Sequence, residues 1–133
     1  MIFGIGTDIV EVERFRDSKT KMDSLAKRIC TEYELAEYDN QTEIFKPIYV
    51  AKKWATKEAI AKAFGTGIRG VVKFKSMEIR HQENGKPYAC FYSDLGDMVK
   101  NMNLKCHLSI SDTDSHVVAY ALAEYSESVN INN

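Results

Sequence analysis

Residues 2–7, IFGIGT, form an apolar run with Gly4 and Gly6 set into it, the pattern of a short strand that another backbone approaches closely. Asp8 then stands where a helix can begin. Glu11 follows in capping-box spacing, and Ile9, Val12 and Phe15 continue as a rough helical stripe. Segments near 17–29 and 32–39 also read as helices. Thr31 and Glu34 give the second of these a capping box ahead of Leu35 and Tyr38. Beyond the polar DNQTE stretch, Pro47 suits the first turn of a long helix reaching about Phe64. Gly65 ends it, and Gly67 and Gly70 leave the next loop free to adopt positive φ.

The second half alternates as strands do. Residues 76–82 and 87–92 flank Glu83-Asn84-Gly85-Lys86, and Asn-Gly is a strong hairpin signal. A short helix fits 93–102 with Ser93 or Asp94 as its cap. LKCHLSIS and SHVVAYALAE then form a second hairpin through Asp112-Thr113-Asp114. A strand, several helices and a run of strands predict an α+β fold, with helices packed on an antiparallel sheet. No repeat or linker divides the chain, so the expectation is one domain over 1–126 and a flexible tail at 127–133.

Composition narrows the class without naming it. A chain of 133 residues has room for one domain, and 44% hydrophobic with 28% charged residues fits a folded chain rather than a disordered one. Lys plus Arg number 18 against 19 Asp plus Glu, so no general pull toward nucleic acid or anionic membrane is expected. No apolar run approaches the roughly 18 residues of a membrane helix. The opening MIFGIGTDIVEVERF lacks a basic n-region and is not read as a signal peptide. Cys30, Cys90 and Cys106 are too widely spaced for a thiolate metal site and read as small apolar residues. Together these predict a cytoplasmic protein.

The long helix carries the first chemical signal. Val50, Trp54, Ala61 and Phe64 share an apolar arc, and Glu58 falls inside it. A carboxylate there must be paired, protonated or metal-bound. Lys62 lies one turn on, and an ordinary i, i+4 ion pair is the simplest account of the two taken alone. Asp8 taken alone is a helix N-cap. Gly65-Thr66-Gly67 alone is a helix stop, too short for a phosphate-binding P-loop.

Taken in order along the chain, three blocks resemble the holo-acyl-carrier-protein synthase family, the small-subunit class of phosphopantetheinyl transferases. They are GIGTDIVEVERF at 4–15, WATKEAIAKAFGTGI at 54–68 and HLSISDTDSHVVAYALAE at 107–124, with NGKPY at 84–88 matching as well. The resemblance implies Mg²⁺-dependent transfer of the 4′-phosphopantetheine arm of coenzyme A to a serine of apo acyl carrier protein, releasing adenosine 3′,5′-bisphosphate. By that resemblance Asp8 and Glu58 hold the Mg²⁺, and Lys62 contacts the transferring phosphate. Two carboxylates with no His or Cys beside them suit a hard cation that keeps waters and phosphate oxygens. A lysine one turn from the metal ligand can offset charge on the phosphoryl oxygens. Either Glu58 or a metal-bound water could take the serine proton.

Lys53, the Gly65–Gly67 backbone and Pro87 are implied as further coenzyme A contacts. His107 reads as a packing or hydrogen-bonding residue, and His81 and His116 as surface residues. Asp112 stands where many relatives carry His, which removes an imidazole contact to the nucleotide. Carrier proteins of this family are acidic, and Arg14, Arg16, Lys19, Lys21, Lys27 and Arg28 concentrate cations at 14–28. Alone that is a solvated helix face; the resemblance makes it a docking surface. It also implies a homotrimer with shared active sites. Two other readings use the same residues: a Mg²⁺-dependent phosphohydrolase, and a carrier-binding module that has lost its chemistry.

Overall fold

In a computed structural model of the chain, residues 1–127 are described. Strand β1 (Ile2–Glu11) runs into a 3-10 turn (Val12–Phe15), followed by helices α1 (Lys19–Ile29), α2 (Glu32–Asp39) and α3 (Lys46–Ala63). A 3-10 turn at Phe74–Ser76 leads into strands β2 (Met77–His81) and β3 (Pro87–Phe91), helix α4 (Ser93–Asn101), and strands β4 (Leu104–Asp112) and β5 (His116–Tyr125). The strands form an antiparallel sheet in the order β1-β5-β4 and a separate β2-β3 hairpin. The α+β expectation holds. The expected tail lies outside the described residues except for Glu127.

The inner face of the three-stranded sheet packs on α3, and small residues make the contact. In β5 Val117, Ala119, Ala121 and Ala123 are buried in strict alternation, facing Ala51, Ala55, Ala59 and Ala63 among the buried positions of the helix. The two glycines of β1 bring the backbones together. A Cβ on Gly6 would sit 1.9 Å from the Ala59 carbonyl oxygen, and one on Gly4 2.0 Å from that of Ala63. No side chain fits there without moving the strand off the helix.

Two expected helix caps are corrected. Asp8 does not cap a helix; it lies inside β1, paired opposite Ala119, and the strand continues to Glu11 before a single 3-10 turn takes up Val12–Phe15. The period of two was masked because Ile5 and Ile9 on the outer face are as apolar as Val10 on the inner one. The α4 cap also differs. Tyr92 occupies the N-cap position with no side-chain hydrogen bond, and Ser93 takes φ of 57°.

Elsewhere the local signals act as expected. Thr31 Oγ1 accepts from the Glu34 amide while Glu34 Oε1 accepts from that of Thr31. At the α3 terminus Gly65 takes φ of 79°, and the Thr66 and Gly67 amides return to the Ala61 carbonyl. Gly85 turns the β2-β3 hairpin at φ of 87°.

A buried ion pair, not foreseen from the sequence, locks α3 to its surroundings. Lys57 and Glu34 are both fully buried and meet at 2.6 Å. The Lys57 ammonium also donates to the Ile29 and Phe74 carbonyls at 2.6 and 2.9 Å, so all three of its protons are used. Glu34 Oε2 accepts from the Ile79 amide at 2.9 Å. The pair thereby joins the end of α1, the start of α2, the centre of α3 and the entrance to β2.

Candidate active site

The close approach of β1 to α3 builds the site. Gly6 lies against Ala59, and a Cβ on it would come within 2.9 Å of the Lys62 Cβ. Asp8, two residues on and on the same face of the strand as Gly6, therefore faces the Glu58–Lys62 stretch of the helix. Lys62 Nζ donates to the Thr7 carbonyl at 2.9 Å and pairs with Asp8 Oδ1 at 3.2 Å. The local Glu58–Lys62 pair is thus not the one formed: the lysine pairs across to the strand.

The second oxygen of Asp8 is the conspicuous one. Oδ2 is buried and has no hydrogen-bond partner, which a carboxylate oxygen rarely tolerates. Glu58, half-buried on the helix, has its pKa raised by burial and then by the negative charge of Asp8; Lys62 and Arg14 oppose the shift without cancelling it. Glu58 thus feels the negative charge of Asp8, while Lys62 pairs with only one of the two Asp8 oxygens. Such a pair fits a small divalent cation that takes one or two carboxylates and completes its shell with water and phosphate oxygens. Among the described residues no group of three His, Cys, Asp or Glu side chains is gathered, as a structural zinc site would need.

Arg14 is closer to this centre than a docking residue need be. Its guanidinium lies 5.0 Å from the centroid of Trp54, one turn before Glu58 on α3, and 5.7 Å from that of Phe15. Its place in the opening motif implies partner docking alone and offers no sign that its charge reaches Glu58. Trp54 in turn packs on Phe74 at 5.2 Å.

The other expected residues scatter around this centre. Gly65 and Gly67 follow directly from α3, each with positive φ. Lys53 is not gathered with Asp8, Glu58 and Lys62; it is buried on another side of α3, its ammonium 4.6 Å from the Tyr49 ring centroid, and burial lowers its pKa. Pro87 opens β3 opposite His81, at the far end of the strand from Phe91, which packs on Phe64. Of the cation cluster, Arg16 pairs with Glu13 and donates to the Asp114 carbonyl, and Lys19 pairs with Glu43. Lys21, Lys27 and Arg28 are exposed on α1. His107 bonds Glu124 at 2.7 Å, the hydrogen-bonding role expected of it. Asp112 pairs with Lys52 of α3 at 3.1 Å. Burial pushes the Cys30 thiol up to about 11 and that of Cys106 up to about 12, consistent with inert packing residues.

Comparison with known proteins gives one consistent answer. A family profile of the 4′-phosphopantetheinyl transferase superfamily matches residues 4–121. The holo-[acyl-carrier-protein] synthase of Dechloromonas aromatica is 39% identical over 126 residues, covering 94% of this chain and 99% of its own. The crystal structure of the Neisseria meningitidis holo-[acyl-carrier-protein] synthase superposes with a TM-score of 0.85 at 40% identity, covering 93% of this chain and 99% of that one. A Bacillus anthracis holo-(acyl-carrier-protein) synthase, solved in complex with CoA (3′,5′-ADP), superposes with a TM-score of 0.81 at 34% identity over 95% and 99% of the two chains. With near full-length matches in both sequence and fold, the chain belongs to the holo-[acyl-carrier-protein] synthase family of phosphopantetheinyl transferases.

Proposed function

We propose that this chain transfers the 4′-phosphopantetheine arm of coenzyme A to a serine hydroxyl of an apo acyl carrier protein, using Asp8 and Glu58 to hold Mg²⁺ and Lys62 to hold the transferring phosphoryl group. The observation that carries the reading is the partnerless, buried Asp8 Oδ2 beside a Glu58 carboxylate whose pKa is raised. When bound, the ion supplies charge to the pyrophosphate of coenzyme A. Everything else falls to the chain. Lys62, tethered to the Thr7 carbonyl and Asp8 at the foot of the site, presents an ammonium to the developing negative charge. A new P–O bond forms from the serine oxygen to the phosphorus bearing the pantetheine. The P–O bond to the nucleotide phosphate breaks, releasing adenosine 3′,5′-bisphosphate. The serine proton leaves to a base, for which Glu58 is the chain's own candidate.

Gly65, Gly67, Lys53 and Pro87 serve as further coenzyme A contacts. Arg14, Lys21, Lys27 and Arg28 serve the acidic carrier, with Arg16 and Lys19 beside them. A homotrimer is supported by the outer face of the sheet, where Ile5, Ile9, Val118 and Tyr120 stand exposed on adjoining strands. Among the described residues no helix is long and apolar enough to cross a membrane. A cytoplasmic setting is part of the same proposal, supported by three free cysteines.

Release of adenosine 3′,5′-bisphosphate, followed chromatographically, separates this reading from its rivals. Release that needs Mg²⁺, coenzyme A and the apo carrier together is expected. Nucleotide release without the carrier would favour a phosphohydrolase, and carrier binding with no release would favour a module that only binds.

A further inference from the structure

Helix α3 meets the sheet through small side chains. Ala51, Ala55, Ala59 and Ala63 are buried against a strand whose own buried positions include Ala119, Ala121 and Ala123, and Gly4 and Gly6 of β1 lie against Ala63 and Ala59. Such surfaces let two elements come close but offer few ridges to interlock. They set how near the helix lies and do little to set its rotation about its own axis. Val50 and Ile60 are buried as well, but apolar burial is non-directional.

Directional contact in the core comes from Lys57. Its ammonium meets acceptors from three separate stretches of chain: the Ile29 carbonyl at the end of α1 at 2.6 Å, Glu34 Oε1 of α2 at 2.6 Å and the Phe74 carbonyl ahead of β2 at 2.9 Å. Glu34 is held in turn, Oε1 accepting from the Thr31 amide and Oε2 from the Ile79 amide, both at 2.9 Å. Both side chains are fully buried, and no polar atom of the pair lacks a partner. A buried ion pair is seldom more stabilising than apolar residues of the same volume, and its best-attested use is to fix a register.

We propose that Lys57 and Glu34 are positioning residues of the site, holding α3 at the rotation in which Glu58 faces Asp8. The inference rests on the metal reading above. Lys57 and Glu58 are adjacent, so the grip on one passes to the other through a single peptide unit. Lys62, one turn on, pairs with Asp8 at 3.2 Å, so the same rotation serves both. A turn of the helix by about 10° carries a carboxylate about 6 Å from the axis through about 1 Å. A displacement of about 1 Å at a reacting centre can cost about 100-fold in rate. Gly6 sets the distance between strand and helix, and the buried pair sets the direction in which Glu58 and Lys62 point.

The test is direct binding of Mn²⁺, an ion of the same oxygen-ligand class as Mg²⁺, to the full-length protein with coenzyme A present and no carrier. Electron paramagnetic resonance of the free ion compares wild type with Lys57→Met/Glu34→Gln, in which the two charges are removed together. The dissociation constant should rise about tenfold or more, as it does when partners that orient a metal's ligands are lost. In the same variant kcat for transfer should fall in proportion, while the KM for apo carrier stays within about twofold. A double variant that is folded and binds Mn²⁺ with wild-type affinity would overturn the inference, leaving the pair a purely structural element. Should the double variant fail to fold, Glu34→Asp carries the same test, since it keeps both charges and shortens the reach by one methylene. A smaller rise in the dissociation constant, about threefold, is then expected. A lower melting temperature with unchanged Mn²⁺ affinity in that variant would likewise overturn the inference. A wild-type protein that binds no Mn²⁺ would instead remove the metal reading, which is a separate failure.

Discussion

Asp8, Glu58 and Lys62 come from two elements, and a single missing side chain lets them meet. Gly6 is the point where β1 touches α3, so the placement of Asp8 depends on an atom that is not there. Gly6→Ala should push the strand from the helix and destabilise the fold by about 3 kcal/mol or more, read as a fall in melting temperature. Unchanged melting would mean that the contact is not tight. The residue-level chemistry was partly legible. Glu58 could be placed on an apolar arc of its helix from spacing alone, but the partner of Lys62 could not, because Asp8 is distant in sequence and reaches the lysine only through the sheet. Arg14 was legible as a cation and not as a neighbour of Glu58. Its stacking on Trp54 depends on the 3-10 turn that replaces the expected helix.

Helix α3 is fixed in rotation about its axis by the buried Lys57–Glu34 pair, and that rotation decides which way Glu58 points. Lys57→Met leaves the Glu34 carboxylate buried and uncompensated, with the Ile29 and Phe74 carbonyls unpaired, and should cost about 3–5 kcal/mol in denaturant unfolding. Adding Glu34→Gln removes the orphaned charge while an amide oxygen still accepts from Ile79. The double variant should therefore be more stable than Lys57→Met by at least about 1 kcal/mol. If the double variant is the weaker of the two, the pair is not coupled as the geometry indicates. A signal for this pair was present in the sequence. Lys57 stands between Val50 and Ala61 at helical spacing, deeper in the apolar arc than Glu58, and Glu34 was recognised only as a cap. Lysine in a core is rare enough that spacing alone argues for the surface. The elements with local punctuation are legible in the sequence, including the Thr31 capping box, the Gly65 stop and the Asn84-Gly85 hairpin. The full length of β1 is not legible there, because apolar residues on both of its faces hide a period of two.

The whole molecule presents a sheet with α3 on one face and apolar side chains on the other. Ile5, Ile9, Val118 and Tyr120 need a cover that the described residues do not supply. Light scattering should give three times the 15.1 kDa of one chain for wild type. The Ile9→Asp/Tyr120→Glu variant should run as a monomer; a wild-type monomer would contradict the trimer. Assembly was the least legible property, since exposed residues in a strand carry the same letters as buried ones. The transfer itself is tested most directly by intact-mass spectrometry of apo acyl carrier protein incubated with coenzyme A, Mg²⁺ and the protein. One added phosphopantetheinyl arm is expected, absent with EDTA and absent from a carrier whose acceptor serine is alanine. Glu58→Gln should lower the rate by more than about 100-fold without a change in fold, since even indirect partners of a bound metal are worth 10–100-fold. A carrier left at its apo mass by the wild type, or modified at near wild-type rate by Glu58→Gln, would contradict the account.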